Sequence, residues 1–172
     1  TWKMGSISSS GIKGKKMKII YHCYGGTHSS VIAAALHLGL LKRNRLPSAG
    51  ELLACPNFDQ RTNRDYGKIF YMGNDKLGYE VYVMGCKNSG TVVETALREF
   101  CKIMDVNDRR VTLACTVSSL NILLKFGGFL SRRLNLVTIG RLFLFPGSRL
   151  AFYKIRKIVE AVEDKVRVSC KP

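Results

Sequence analysis

Acidic residues are what this chain has least of: 12 Asp and Glu stand against 28 Lys and Arg in 172 residues, a formal net charge of +16. An excess of that size draws anionic partners by long-range steering, or else keeps a folded protein soluble through solvated helix faces. Cysteine pairing is also missing. Cys23, Cys55, Cys86, Cys101, Cys115 and Cys170 form no C-x-x-C pair and no secretory signal precedes them, so they read as reduced thiols of a cytoplasmic protein. Paired metal-ligand spacings such as C-x-x-C or H-x-x-x-H do not occur, and no metal site is expected. No internal repeat divides the chain, and no linker is long enough to split it. The run Ile19 to Leu41 lacks Lys, Arg, Asp and Glu, yet Gly25, Gly26, Thr27, His28, Ser29 and Ser30 at its centre would go unpartnered in lipid, which excludes a membrane span.

What is present is an ordinary globular composition, 46% apolar and 23% charged, unlike that of a disordered chain. Residues 1–16 are the exception. They are a Ser, Gly and Lys stretch without apolar periodicity, expected to be a disordered extension, and Met17 opens the folded part so abruptly that it reads as the natural first residue. Residues 17–172 fit one domain. The positive charge is concentrated late: residues 125–172 hold eleven Lys and Arg against Glu160, Glu163 and Asp164.

The apolar run Lys18 to Cys23 ends at Gly25 and Gly26 and suits a strand buried on both faces. Val31 to Leu41 reads as the following helix, with Gly39 near its end. A loop over Leu46 to Asn57 holds a short helix started by Ser48. Gly67 to Met72 and Tyr79 to Met84 make a hairpin. Ser89 or Thr91 opens a helix to about Met104, Val111 to Cys115 is a buried strand, and Ser118 to Arg133 is a helix. Leu136 to Phe145 reads as a strand broken at Gly140, and Arg149 to Lys165 as a closing amphipathic helix. Strands alternating with helices predict an α/β fold, a three-layer domain with a mainly parallel sheet, one antiparallel hairpin strand and a P-loop-like strand, turn and helix at the start.

Ligands of open α/β sheets sit beyond the carboxyl ends of the strands. Three junctions there share one chemistry: Cys23 to Ser30, Cys86 to Thr91, and Cys115 to Ser119. Each leaves a strand through cysteine and enters a helix through hydroxyls. The first is the leading candidate. Gly25 and Gly26 let the backbone turn and approach a ligand, the helix N-terminus faces an anion, and Thr27, His28, Ser29 and Ser30 offer donors, with Lys87, Ser89 and Ser118 expected from the other two junctions. A plain helix cap by Thr27 or Ser29 is the alternative.

Against a nucleotide-binding P-loop, the turn has no lysine and the wrong glycine spacing. Against the phosphatase loop in which arginine follows cysteine by six positions, that position is Ser29, so the guanidinium is missing. Buried cysteine as a small apolar residue is the default for Cys23, and His37 reads as a surface or core-edge histidine on the helix face opposite His28.

Met17 to Ser30, Val81 to Gly85 and Gly127-Gly-Phe-Leu-Ser-Arg-Arg-Leu134 carry a resemblance. They are similar to DUF3189, a bacterial domain of unknown function found mainly in Firmicutes, over about Met17 to Lys165. The Tyr-Gly-Gly-Thr-His-Ser-Ser turn is the most specific part. The resemblance implies a site at that turn and names no substrate or cofactor. Whether chemistry follows binding stays open, as does the oligomeric state. The expected ligand is an anionic small molecule, phosphorylated or a nucleotide. The alternatives are nucleic-acid binding through Lys125, Arg132, Arg133, Arg141, Arg149, Lys154, Arg156 and Lys157, and a partner-binding protein with a vestigial pocket. Against nucleic acid, Phe126, Phe129, Phe143, Phe145, Phe152 and Tyr153 sit in patterns typical of a core.

Overall fold

In a computed structural model, residues 16–107, 110–133 and 137–169 are described. The extension expected over 1–16 lies outside them except for Lys16. The elements are β1 (Lys18–Cys23), α1 (Ser29–His37), α2 (Ala49–Ala54), β2 (Ile69–Asn74), β3 (Glu80–Gly85), α3 (Gly90–Ile103), β4 (Val111–Cys115), α4 (Ile122–Arg133) and α5 (Val137–Ser169), with short 3-10 turns at Asn63–Asp65 and Val117–Ser119. The fold is mixed α/β with one four-stranded sheet in the order β2-β3-β1-β4. β1 pairs in parallel with β3 and with β4, and β2 closes the sheet antiparallel to β3.

β1 is central, and its five residues after Lys18 are all buried. Alternation sends Ile19 and Tyr21 to the main core, which Val31, Ile32, Leu36, Phe152, Ile155 and Val159 of α1 and α5 complete. Ile20 instead joins Met84, Cys86 and Leu113 in a smaller cluster, against which Val93 and Leu97 of α3 pack. α1 is buried at all nine positions, as a helix apolar all round must be. It ends in a Schellman motif: Gly39 adopts φ +73, Leu40 N–H donates to the Ala35 carbonyl at 2.8 Å and Gly39 N–H to that of Leu36 at 3.2 Å. Ser48 starts α2 as expected, through a capping box with Glu51. His37, expected at the surface or the core edge, is 7% exposed. Its Nδ1 meets the Tyr21 hydroxyl at 2.8 Å and its Nε2 lies 3.2 Å from Asp75 Oδ2.

Two expectations about the C-terminal third are corrected. Helix α4 does not open at Ser118, which sits in the 3-10 turn. Asn121 starts it instead, its Oδ1 accepting from Leu124 N–H at 2.9 Å. The strand expected over Leu136 to Phe145 is helical from Val137 onward, Leu136 itself lying outside the described residues. Gly140, Leu144, Gly147, Ser148, Ala151, Phe152, Ile155, Val159, Val162 and Val166 are the buried positions, a helical period that runs through Gly140, the expected break. The glycines serve helix contact. A Cβ on Gly147 would meet Leu124 N at 2.7 Å, and one on Gly127 would meet the Gly140 carbonyl oxygen at 2.8 Å. Pro146 lies inside α5 and is exposed.

Candidate functional site

Parallel pairing sets Cys23 opposite Gly85, and His22 opposite both Met84 and Cys115. The three cysteine junctions therefore reach one edge of the sheet. A cavity of about 950 Å³ opens there, with Cys23, Cys86 and Cys115 in its lining. A smaller one of about 360 Å³, beside His37 and Asp75, lies among other loops. The larger is the candidate because it collects the polar groups of the junctions.

The turn after β1 folds around its own cysteine. Gly26 N–H donates to Cys23 Sγ at 3.1 Å, and the Ser30 hydroxyl lies 3.3 Å from that sulfur. Burial pushes the Cys23 thiol up, but bonds from the Ser30 and Ser29 hydroxyls and from the Ser30 and Gly26 N–H groups outweigh it and leave the thiol below its ordinary value. The anion-stabilising start of α1 thus already faces a sulfur. Cys86, one residue beyond β3, goes the other way: burial, with Cys23, Cys115 and Glu94 nearby, pushes its thiol up to about 11.

His22 and His28, both in the lining, are each held by a carboxylate. His22 is 1% exposed, and its Nε2 lies 2.6 Å from Glu94 Oε1 of α3. Its Nδ1 is buried with no hydrogen-bond partner among the described residues. Gly90 passes beside it, where a Cβ would stand 3.6 Å from Nδ1. On the other wall His28 Nε2 lies 3.1 Å from Asp59 Oδ1, and Arg141 Nε donates to Asp59 Oδ2 at 3.1 Å. Gly128 of α4 borders the His28 ring, where a Cβ would stand 3.5 Å from it.

The residues expected at the site separate into two groups. Gly25, His28 and Lys87 line the cavity. Lys87, at φ +52, sets its Nζ 4.6 Å from the centre of the Tyr66 ring. Gly26, Thr27, Ser29, Ser30, Ser89 and Ser118 are outside the lining. Gly26 needs its φ of +70 and its missing Cβ because the Gly85 backbone lies behind it, 2.5 Å from where a Cβ would stand. Thr27 Oγ1 donates to the Asn57 carbonyl at 3.1 Å, and Ser29 Oγ lies 3.0 Å from Thr116 Oγ1. Neither caps α1, whose N-cap His28 makes no side-chain cap bond. Ser89 is the exposed N-cap of α3, also without a cap bond, and Ser118 is exposed.

Sequence reasoning missed Glu94, Asp59 and Gly128, and assigned Lys125, which also lines the cavity, to another surface. Glu94 lies 72 positions from His22, and Asp59 lies 31 from His28. No spacing rule reaches that far. The side chains of Arg132 and Arg133 lie outside the described residues. Among the described residues no group of three or more His, Cys, Asp or Glu is placed to hold a metal, and no helix is long and apolar enough to cross a membrane.

A family model described as a protein of unknown function, DUF3189, matches residues 18–164. The chain belongs to this family. No curated protein and no solved structure matches it.

Proposed function

We propose that this member of the DUF3189 family binds a phosphorylated small molecule or a nucleotide in the cavity at the sheet edge. In this reading the fold is a three-layer domain with a P-loop-like first turn, and the protein works in the cytoplasm. The observation that carries the reading is the charge balance of the lining. Lys87 and Lys125 stand beside the turn that starts α1, while Glu94, the one carboxylate among the described lining residues, is bonded to His22. Lysine ammonium groups and the positive end of a helix together favour a compact anion. Tyr24, Tyr66 and Phe129 in the same lining offer faces for a base or another flat group. The buried hydroxyls of the turn hold its shape, and the ligand is met by Gly25, His28 and the lysines.

Calorimetric titration with inorganic phosphate and with AMP tests this. Lys87→Ala and Lys125→Ala should each weaken binding by about 1 kcal/mol, the scale of one exposed charged contact, with melting temperature unchanged. Unaltered affinity in the double variant overturns the reading.

A second reading, nucleic-acid binding along the basic C-terminal third, gains from one observation. Phe126, Phe129 and Tyr153, expected in the core, are 49%, 46% and 47% exposed beside Lys125 and Lys154. Phe152 is buried, as expected. Many phosphate contacts would make affinity fall steeply with salt, whereas a compact site is less sensitive.

A further inference from the structure

We propose that the outer face of α4 and α5 docks on the surface of a bilayer of anionic lipid. The proposal goes beyond the phosphate-binding reading and does not rest on it. It starts from the first half of α5. Gly140, Leu144, Gly147 and Ala151 are buried, yet the opposite side of the helix is apolar as well: Ile139, Leu142, Pro146, Leu150 and Tyr153, three or four positions apart, are all exposed. A helix apolar all round is normally covered all round, as α1 is. α4 repeats the pattern with Ile122, Phe126 and Phe129, also exposed. Phe126 meets Phe143 edge to face, with ring centres 5.1 Å apart, which joins the two stripes into one face. Ile122 is 80% exposed, Leu142 70% and Leu150 66%. Single apolar side chains are common at surfaces, but a contiguous set of this kind marks a docking site.

The charge around the face selects what covers it. Residues 121–159 hold eight Lys and Arg and no Asp or Glu. Arg141 is turned to Asp59 and Arg156 to Glu160, while Lys125, Arg149, Lys154 and Lys157 are exposed on the same two helices. A second copy of the chain would set this positive charge against itself. Nucleic acid would match the cations and stack on the aromatic rings, but it has no use for Ile122, Ile139, Leu142 and Leu150. An anionic bilayer uses both halves of the face: aliphatic and aromatic side chains enter between the headgroups, and lysine and arginine meet the lipid phosphates. The helices would lie on that surface, since among the described residues none is long and apolar enough to cross a membrane.

The test is sedimentation of the full chain with vesicles of phosphatidylcholine and phosphatidylglycerol in equal parts, and with vesicles of phosphatidylcholine alone. Wild type should bind the first and stay in solution with the second. The double variant Leu142→Ser/Leu150→Ser should partition about 10-fold less onto the anionic vesicles. Arg149→Gln/Lys154→Gln should lose about 30-fold, the scale of two basic residues at an anionic surface. Both should keep the wild-type melting temperature. Neither pair lines the cavity, so a phosphate titration should give the wild-type result in both, whether or not phosphate binds. Wild-type partitioning of the leucine variant reduces the face to a patch of charge and overturns the proposal, as does equal binding of wild type to the two kinds of vesicle. Wild type that stays off both also overturns it, whether the face then holds a second copy, seen by light scattering as a dimer that the leucine variant breaks, or nucleic acid, seen as a DNA oligonucleotide bound by wild type and leucine variant alike. If the leucine variant does not fold, hydrogen exchange of wild type decides: vesicles that slow exchange over residues 121–133 and 137–153 support the proposal, and unchanged exchange there overturns it.

Discussion

Cys23 and Cys86 leave adjacent parallel strands at the same edge, and their surroundings drive the two thiols in opposite directions. Over a pH series, site-resolved alkylation should modify Cys23 at lower pH than Cys86, which stays protonated until close to pH 11. The reverse order would contradict the hydrogen-bond pattern of the turn. Stability follows the same signs. A thiol lowered by folding contributes stability that is complete above its unfolded value and is lost as pH falls through its folded one. The melting temperature of wild type should therefore exceed that of Cys23→Ser by more at pH 9 than at pH 6. Ser29→Ala removes one partner of a buried hydroxyl pair and leaves Thr116 Oγ1 with the His22 carbonyl, to which it donates at 3.1 Å. The expected cost is about 1 kcal/mol in chemical denaturation, with phosphate affinity unchanged. A drop in affinity instead would mean that Ser29 reaches the ligand. At this scale the sequence named Gly25, His28 and Lys87, which line the cavity, together with hydroxyls that lie outside its lining. Residue types show that hydroxyls and glycines are gathered in the turn, but whether a hydroxyl faces a ligand or a neighbouring strand depends on long-range pairing that local spacing does not encode.

Among the elements, β1, β4, the hairpin, α2 and α3 were legible because each carries a local signal: an uninterrupted apolar run, a turn between β-rich runs, a capping box, an amphipathic period. The first half of α5 was not. Leu142, Phe143, Leu144 and Phe145 look like a strand, and Gly140, Pro146 and Gly147 look like breakers, until α4 is present to explain why those glycines are buried. The neighbouring glycines of α4 make the point testable. Gly127→Ala places a Cβ 2.8 Å from both the Gly140 oxygen and Leu144 N of α5. It should destabilise by about 1–3 kcal/mol even after the gain in helix propensity. Gly128→Ala meets only the His28 ring at 3.5 Å, an ordinary contact, and should stabilise by up to about 1 kcal/mol. Urea denaturation of the two variants checks this, and equal effects would contradict the close crossing of α4 and α5.

For the molecule as a whole, the fold lines one cavity with residues that the sequence keeps apart. Strand order brings β3 and β4 to either side of β1, so that junctions beginning at Cys23, Cys86 and Cys115 share an edge, and α3 and α4 add Glu94 and Lys125 to it. The excess of positive charge would raise the encounter rate of any anion with this edge, where Lys87 and Lys125, both exposed, are the lysines of the lining. The most direct test is a calorimetric titration of inorganic phosphate into wild type and Gly128→Leu, a substitution that puts a side chain into the cavity from α4, against the His28 ring. The account predicts that wild type binds phosphate and that Gly128→Leu, at equal or higher melting temperature, does not. Wild-type affinity retained in folded Gly128→Leu would contradict it and place the anion elsewhere on the protein.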